Sequence, residues 1–491
     1  MKSLTWHPVS GALVLSGLFS FIFLSCFNGL AAILYVDVNS TNPIPPYTNW
    51  ATAATVIQDG VDAAISGDTV LVTNGVYSTG GRQLNVGIVT NRVALTNGAI
   101  LRSVNGPSVT FIRGYRDPDI PYNTNAVRCV QMANNSVLSG FTLTNGSGGI
   151  GNEGGGGGAL CEYGDYGSIP PGVISNCVFI NNYDSGTWRG TLINCLLVGN
   201  IGGGALTANL ISCVISNNSA GEGGGIDSCR ATNCLIAFNI ATNVGGGSAF
   251  SRLVNCTVVS NVSLGNVGGS YNDEVMNSIL IGNTTTNNTV NYGRSSIGHS
   301  CTTPFPGGYG NFTNAPLFVN PLAGDFRLQS NSPCISAGIN ARITTPTDLD
   351  GNPRIRGGIV DVGAYEFQNP ASIIAYYWLQ NFGLPTDGSA DFADPDNDGM
   401  SNWSEWRAGT DPTNSLSVFK LAISAVDSSG ITLTWPSANG ILYNLQRATA
   451  LSANPAFHSV QSNIFGIFYT TSYKDTTATG KGPYFYRVGV Q

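Results

Sequence analysis

A short pattern of residues returns six times between residues 175 and 283, and it limits the possible folds more than any other feature. Each copy carries a Cys or Ser, a run of mostly aliphatic residues and a closing Asn in the same order. The closing residues are Asn182, Asn200, Asn218, Asn239, Asn261 and Asn283. Repeats of about 20 residues are typical of solenoids, because so small a unit buries its apolar face only by stacking on its neighbours.

The repeats contain short β-type runs and no helical stripe, so each repeat is expected to form one coil of a stack. Strands of successive coils would then pair in parallel, about 4.8 Å apart. Gly-rich turns keep the same period, at residues 202–204, 223–225, 245–247 and 268–269. Because parallel connections are almost always right-handed, the sequence predicts an all-β protein whose main body is a right-handed parallel β-helix.

Stacking places equivalent residues of successive coils above one another, which predicts two internal ladders. The Asn set forms one, with a structural role by default, because Asn readily hydrogen-bonds backbone in turns. The other ladder comprises Cys177, Cys195, Cys213, Cys234 and Cys256, continued by Ser278. We expect these thiols to be buried and reduced, and a metal or redox stack is disfavoured because no His accompanies them. Cys301 and Cys334, outside the ladder, are the better disulfide candidates.

Residues 1–32 are predicted to be a signal peptide. Lys2 supplies the positive start, residues 12–27 are apolar, and residues 29–31 offer a cleavage site. A membrane anchor is the alternative, disfavoured because the apolar run is short for a span of about 20 residues. We expect a secreted or cell-surface monomer with no integral membrane segment once the signal is removed.

The charge pattern excludes one class of partner. The net charge is -7, only 10% of residues are charged, and no Lys lies between Lys2 and Lys420. A nucleic-acid surface needs clustered cations that neutralise phosphates. The chain is therefore expected to have no nucleic-acid partner.

Two segments resemble parts of known secreted β-helix proteins. In residues 35–77 a short helical stripe precedes a strand, and this region resembles the opening of pectate-lyase-like β-helix proteins. Such a helix would cap the open end of the stack. Residues 315–367 resemble the closing segment called the choice-of-anchor Q region. The matching motifs lie at residues 325–328, 332–338, 348–354 and 361–366.

The chain divides into four parts. After the signal peptide, residues 33–368 are assigned to the β-helix, residues 369–415 to a helical linker and residues 416–491 to a small β-sandwich. The sandwich strands are predicted at residues 431–435, 443–447, 465–471 and 484–490. The strand that holds Trp435 and the closing Tyr-Arg-Val strand resemble fibronectin type III-like modules.

The sharpest chemical motif spans residues 394–405 and fits the EF-hand pattern D-x-[DN]-x-[DN]-G-x5-E without a gap. Calcium prefers six to eight hard oxygen ligands on a sharply turned loop. The expected ligands are Asp394, Asp396, Asp398, the backbone carbonyl of Met400, Asn402 and Glu405. With residues 409–412, the motif resembles the dockerin-like single Ca²⁺ loops of secreted bacterial proteins. We expect a structural Ca²⁺ site, and a solvated acidic turn is the alternative.

The repeats hold one pair of cations that could meet a glycan. Arg230 and Arg252 each lie four residues before a ladder Cys, so they should stack on adjacent coils. Glu222 and Asp227 are close to them in sequence. Two stacked guanidinium groups could grip a uronate or a sulfate through forked hydrogen bonds. A solvated edge with counter-charges is the alternative interpretation.

The expected function is the binding of a polysaccharide or cell-surface glycan by a non-catalytic extracellular protein. The alternative is a polysaccharide lyase or glycoside hydrolase acting on acidic glycans, which the resemblance to pectate-lyase-like proteins implies. No catalytic residue is assigned. Residues 298–300 match the Gly-His-Gly of polygalacturonases poorly, and a fold alone does not fix a chemistry.

Overall fold

The computed structural model describes residues 31–84, 89–116, 125–148, 155–162, 171–308, 310–437, 441–467 and 469–491. The predicted signal peptide lies almost entirely outside these residues. Within them, no helix combines the length and the apolar character that a membrane span requires.

Three long sheets, here called A, B and C, wrap around one core. A typical coil gives one short strand to each sheet, and strands of successive coils pair in parallel register. The exception in these sheets is the antiparallel pair of Arg82–Gln83 with Thr90–Leu95, at one edge of sheet C. The parallel β-helix predicted from the repeat is confirmed.

The strands are short and regular. Sheet A contains Ile33–Val36, Thr69–Val72, Ile100–Ser103, Val137–Ser139, Val173–Ser175, Thr191–Ile193, Asn209–Ile211, Arg230–Thr232, Arg252–Val254, Glu274–Met276 and Ser296–Gly298. Sheet B contains Gly75–Tyr77, Thr110–Arg113, Thr142–Thr144, Val178–Ile180, Leu196–Val198, Val214–Ser216, Leu235–Ala237, Thr257–Val259, Ile279–Ile281 and Cys301–Thr302. Sheet C contains Arg82–Gln83, Thr90–Leu95, Val127–Met132, Ala159–Cys161, Thr187–Trp188, Ala205–Leu206, Ile226–Asp227, Ser248–Ala249, Ser270–Tyr271 and Tyr292–Gly293.

In the repeated coils, two-residue corners join sheet C to sheet A and sheet A to sheet B. The first corner residue has positive φ, as at Thr207 (52°) before sheet A and Asn194 (53°) before sheet B. The second corner residue is buried, as at Ala208 and Cys195. The corners therefore generate inward-facing ladders at a fixed place in each coil.

Each member of the Asn ladder is the second residue after a sheet B strand, and all six predicted members are completely buried. The Asn218 carboxamide accepts the backbone N–H of Asn200 (2.9 Å). Its Nδ2 donates to the Leu197 carbonyl (2.9 Å) and to the Asn239 carboxamide (3.0 Å). Asn218 thus bonds backbone groups of the coil before it and the Asn carboxamide of the coil after it, which confirms the structural ladder.

The Cys ladder lies at the corner between sheets A and B. The backbone N–H of Cys213 donates to the Cys234 thiol (3.4 Å), and that of Cys256 donates to the Ser278 hydroxyl (3.0 Å). Burial raises the pKa of the Cys177 thiol to about 12. All five ladder thiols are free and buried, as the sequence predicted. Cys301 and Cys334 are also free and buried, so the structure does not contain the expected disulfide.

A third ladder, at the corner between sheets C and A, was not predicted. It runs through Cys229, Ser251, Asp273 and Ser295, and each of the last three accepts the backbone N–H of the member before it. Asp273 is 3% exposed and also accepts the hydroxyls of Ser248 and Ser270, both at 2.6 Å. Burial raises the pKa of the Asp273 carboxyl to about 6.

Between Thr187 and Asn283, the coils differ in length at one connection only. The start of the sheet C strand and the ladder Asn are 13 residues apart in successive coils, as in Ala205 to Asn218, Ile226 to Asn239 and Ser248 to Asn261. The connection from the ladder Asn to the next sheet C strand is what lengthens, and in the longer coils it forms sheet D. Sheet D contains Ser219–Glu222, Ile240–Val244, Val262–Ser263 and Thr284–Thr285.

The Gly-rich turns lie at the end of this variable connection, where successive coils touch. A Cβ on Gly225 would lie 2.5 Å from the Gly247 carbonyl oxygen, and one on Gly204 would lie 2.7 Å from the Gly225 oxygen. Gly204 and Gly225 are therefore required by close backbone approach, whereas Gly202, Gly203, Gly223 and Gly245 of the same turns have positive φ.

Helix α1 (Ile57–Ala63) lies near the start of the stack and contacts the first two strands of sheet A and Thr90–Leu95 of sheet C. Ile57 and Val61 face the core, and the Gln58 side chain bonds both the N–H and the carbonyl of Ala94. The predicted short helix at this position is confirmed.

The closing segment packs against the outer side of sheet B. It contains the antiparallel pair Phe318–Asn320 and Asp325–Leu328 and the 3-10 turns Pro321–Ala323 and Asn340–Arg342. Its apolar residues share a core with Leu235, Val259 and Ile279 of sheet B. The polar motifs of this segment form a buried cluster, in which carboxylates of Asp348, Asp361 and Glu366 accept backbone N–H groups.

Helices α2 (Tyr376–Asn381) and α3 (Asn402–Ala408) form the linker. Two antiparallel sheets with a shared core follow. One contains Ala422–Asp427, Gly430–Ser437 and Tyr469–Asp475, and the other Leu442–Ala448, His458–Phe465 and Phe485–Val490. The single strand predicted over residues 465–471 is wrong, because one strand ends at Phe465 and the next, in the other sheet, begins at Tyr469.

Candidate functional site

The two arginines predicted to stack do occupy neighbouring strands. Arg230 pairs with Arg252 in sheet A, and the register continues to Asn209 on one side and Glu274 on the other. Arg230 is exposed. Arg252 is half-buried, and its Nε lies 3.3 Å from a Glu274 carboxylate oxygen. The cation pair is therefore asymmetric: one member already has an acidic neighbour, which the sequence prediction had not placed there.

The two acidic residues named with them lie elsewhere on the coil. Glu222 ends the first strand of sheet D, and Asp227 ends the following sheet C strand. Burial and the nearby Glu222 raise the pKa of the Asp227 carboxyl. In the described part of the chain, no ion pair joins either carboxylate to Arg230 or Arg252. The acidic pair thus flanks the Gly-rich turn, while the arginines lie past the corner on sheet A.

The aromatic side chains that lie beside these residues were not predicted from the sequence. Trp188, Leu206, Asp227, Ala249 and Tyr271 form one row across sheet C, in strict register. The Tyr271 ring packs edge-on against that of Phe250, which is 44% exposed, with 5.8 Å between ring centroids.

Two further arginines border this row. The Arg189 guanidinium carbon lies 4.2 Å from the Trp188 ring centroid, and that of Arg294 lies 5.7 Å from the Tyr271 centroid. Both sit at the positive-φ position of the corner between sheets C and A. The surface formed by the sheet C row, this corner and the arginines of sheet A is here called the C/A surface.

The acidic loop of the linker brings the three predicted carboxylates together. One oxygen from each of Asp394, Asp396 and Asp398 lies within 4.8 Å of the others. Their other contacts fold the loop: Asp394 accepts the N–H of Gly399 (3.0 Å), and Asp398 accepts that of Met400 (2.7 Å). Gly399 has φ 94°, so glycine is needed at the turn.

Two side chains from α3 add oxygen atoms to this cluster. Glu405 and Asn402 are completely buried. Glu405 Oε2, Asn402 Oδ1 and one oxygen each of Asp396 and Asp398 are buried without a hydrogen-bond partner. Burial and the carboxylates of Asp396 and Asp398 raise the pKa of Glu405 to about 7. Buried unsatisfied oxygens are costly, so this oxygen set fits a hard cation.

The loop is anchored on both sides. Asp391, just before it, accepts the Ser372 hydroxyl (2.5 Å) and the N–H of Ile373 (3.1 Å). After it, the Ala408 carbonyl of α3 accepts the Tyr443 hydroxyl of the sandwich (3.4 Å). The loop therefore lies where the linker meets the C-terminal sheets.

No protein-family model and no curated protein sequence matches the chain. Among solved structures, pectate lyase Pel9A is 15% identical with a TM-score of 0.41, covering 70% of this chain and 98% of that one. A rhamnogalacturonan lyase is 13% identical with a TM-score of 0.35, covering 59% and 91%. The tailspike gp49 of Acinetobacter baumannii bacteriophage Fri1, a capsular polysaccharide depolymerase, is 10% identical with a TM-score of 0.27, covering 93% and 86%. The activity of this chain must be argued from its own residues.

Proposed function

We propose that this is an extracellular glycan-binding protein whose C/A surface takes an anionic polysaccharide. The observation that carries the proposal is the placement of exposed Arg230 beside Arg252 on neighbouring strands, next to the exposed ring of Phe250. Guanidinium groups bind carboxylates and sulfates through paired hydrogen bonds. Aromatic rings supply apolar contact area for the faces of sugar rings. The surface combines the two chemistries.

The neighbouring Glu274 does not block this role. Its contact with Arg252 joins two side chains that are 51% and 40% exposed, respectively. Such an exposed ion pair contributes little, so a polyanion could replace the Glu274 carboxylate at small cost. Binding through so few cations should be weak and should fall as salt screens the charges.

The test is the double variant Arg230→Ala with Arg252→Ala, measured against alginate, pectate and a sulfated glycan at low salt. Arg102→Ala, an exposed arginine of sheet A in an earlier coil, is the matched control. We expect one glycan to bind the wild type and the control, and to bind the double variant about tenfold more weakly. Equal binding by all three proteins, or binding by none, would reject the site.

The acidic pair supports a second candidate, a polysaccharide lyase or glycoside hydrolase. Burial and the nearby Glu222 raise the pKa of the Asp227 carboxyl, the direction of shift that suits a carboxyl for acid–base work. The same glycans should then yield unsaturated products, read by ultraviolet absorbance, or new reducing ends. Either signal should vanish in Asp227→Asn, whereas a purely binding protein gives neither signal in the wild type.

We also propose that the linker loop binds one structural Ca²⁺. Asp394, Asp396, Asp398, Asn402 and Glu405 would hold it through oxygen atoms, with the Met400 carbonyl as a further ligand. Bound Ca²⁺ would supply charge that offsets the repulsion among the buried carboxylates and would fix the start of α3.

Calorimetric titration with Ca²⁺ tests this site. The wild type should bind one ion, Asp398→Ala should bind none, and Asp387→Ala, an exposed residue outside the motif, should behave as the wild type. Unchanged binding in Asp398→Ala would refute the assignment. Thermal unfolding with and without Ca²⁺ should shift in the wild type and in Asp387→Ala alone.

A further inference from the structure

A groove of about 670 Å³ runs along the corner between sheets A and B, on a different side from the C/A surface. Its floor includes the exposed corner residues Asn176 and Asn194 and the sheet B residue Leu196. Its end is formed by Leu349 and Asp350 of the closing segment. The groove therefore begins where the closing segment stops covering the β-helix.

The same corner already binds polypeptide backbone in later coils. The Asn277 carboxamide accepts the N–H of Ile339 (2.9 Å) and donates to its carbonyl (3.0 Å). The Asn233 carboxamide donates to the Thr347 carbonyl (2.6 Å). Asn176 and Asn194 occupy the equivalent positions, with φ of 51° and 53° against 53° and 49° for Asn233 and Asn277. The exposed pair thus shares the corner position and the backbone conformation of the two Asn that bond the closing segment.

The outer side of sheet B repeats this contrast. In the later coils its aliphatic residues are buried beneath the closing segment, as at Leu235 and Ile279. In the earlier coils the equivalent residues are half-buried or exposed. These are Val178, Ile180, Leu196, Val198 and Val214. Leu196 is 36% exposed. An apolar face left open beside a covered one is typical of an interaction surface.

We propose that this groove binds an extended polypeptide segment of a partner protein, with apolar side chains on the face that meets sheet B. Asn176 and Asn194 would bond its backbone as Asn277 bonds Ile339, and the aliphatic row would receive its side chains. The occupant continues, on the open coils, the interface that the closing segment makes on the covered ones.

The end of the groove favours a peptide over a glycan. Tyr365, the aromatic residue of the lining, is only 8% exposed, and the Arg327 guanidinium carbon lies 5.3 Å from its ring centroid. Arg327 is itself held by Asp350 through two hydrogen bonds of 2.7 Å and by Asp325. The lining therefore presents neither an open ring for a sugar face nor an uncommitted cation for an acidic sugar.

A random peptide library displayed on phage, selected against the full chain, tests the proposal. Selected peptides, resynthesised with a fluorophore, should carry apolar residues at alternate positions and bind the wild type by anisotropy. Asn176→Gly with Asn194→Gly removes the carboxamides and tolerates the positive φ. The control pair Asn181→Gly with Asn217→Gly changes exposed, positive-φ residues at the corner after sheet B.

We expect the first pair to weaken peptide binding about tenfold and the control pair to leave it unchanged. Leu196→Asp should also weaken it, by placing a charge on the apolar face. Failure to select any peptide, equal binding by both Gly pairs, or glycan binding that depends on Asn176 and Asn194 would overturn the proposal. Circular dichroism of each variant separates lost binding from lost folding.

Discussion

The Asn ladder and the Cys ladder are both buried columns of one repeated residue type, yet they differ in what each side chain does. A carboxamide accepts and donates, so Asn218 links backbone and side-chain groups of three coils. A thiol forms weaker hydrogen bonds, and Ser278 and Ser300 take the same position in later coils without breaking the column. The comparison teaches that a repeated residue can be required for its hydrogen bonds or only for its size.

The largest effect should come from Asn218→Ala. It leaves the N–H of Asn200 and the carbonyl of Leu197 buried without those partners, at a cost of 1–3 kcal/mol for each orphaned group. We expect a loss of about 4 kcal/mol in the free energy of unfolding, measured by denaturant titration. Asn217→Gly, at the exposed residue beside it, should change little, and equal losses in the two variants would contradict the ladder's role.

An intermediate effect should come from the third ladder, where a carboxyl takes the place of a thiol or hydroxyl. The folded pKa of Asp273, about 6, lies above the ordinary value of 3.8. The folded state therefore holds this proton more tightly, and stability should fall as pH rises from about 4 to 6 and then level off. The shift corresponds to about 3 kcal/mol at most.

The variant that tests this pH dependence is Asp273→Asn, which keeps the size of the side chain and removes the titrating carboxyl. Unfolding free energies of the two proteins, subtracted at each pH, isolate this group from the other carboxyls. The difference should change between pH 4 and 6 and be constant above that range. A difference that does not vary with pH would show that Asp273 titrates normally.

The smallest effect should come from Cys234→Ser. The backbone N–H of Cys213 that now meets a thiol would meet a hydroxyl instead, as Cys256 already meets Ser278 at 3.0 Å. We expect a loss below about 1 kcal/mol. A loss as large as that of Asn218→Ala would show that the Cys ladder contributes as much to the free energy of unfolding as the Asn ladder.

The sequence predicts the β-helix well because a fixed period forces equivalent residues into register. It predicts the Asn and Cys ladders because each repeats one residue type. The third ladder could not be predicted in this way, because Cys229, Ser251 and Asp273 share a position in the coil but are three different residue types. Trp188 and Tyr271 share a row on sheet C although they are distant in the sequence, so only strand register brings them into view.

In the sandwich, alternation of polar and apolar residues predicted the strands around Trp435 and Tyr443, but not that one strand ends at Phe465 and another begins at Tyr469. It also missed Ala422–Asp427, an edge strand whose residues are all exposed and therefore carry no alternation of burial. The acidic loop at residues 394–405 could be assigned residue by residue as a candidate Ca²⁺ site, because its oxygen-bearing side chains lie within one short stretch. The groove beside the closing segment joins distant stretches and could not be.

In the coils between Thr187 and Asn283, the span from the sheet C strand to the ladder Asn is constant at 13 residues, whereas the connection that follows varies, and this difference separates two kinds of tolerance to insertion. A residue added inside a strand or a two-residue corner of that span would shift the residues after it in the same coil out of register. A residue added in the connection that holds sheet D need only lengthen an outward excursion, as the natural coils already do. Foreign loops grafted there, one per coil, should be displayed about 4.8 Å apart, which would make this side of the molecule a regularly spaced presentation scaffold.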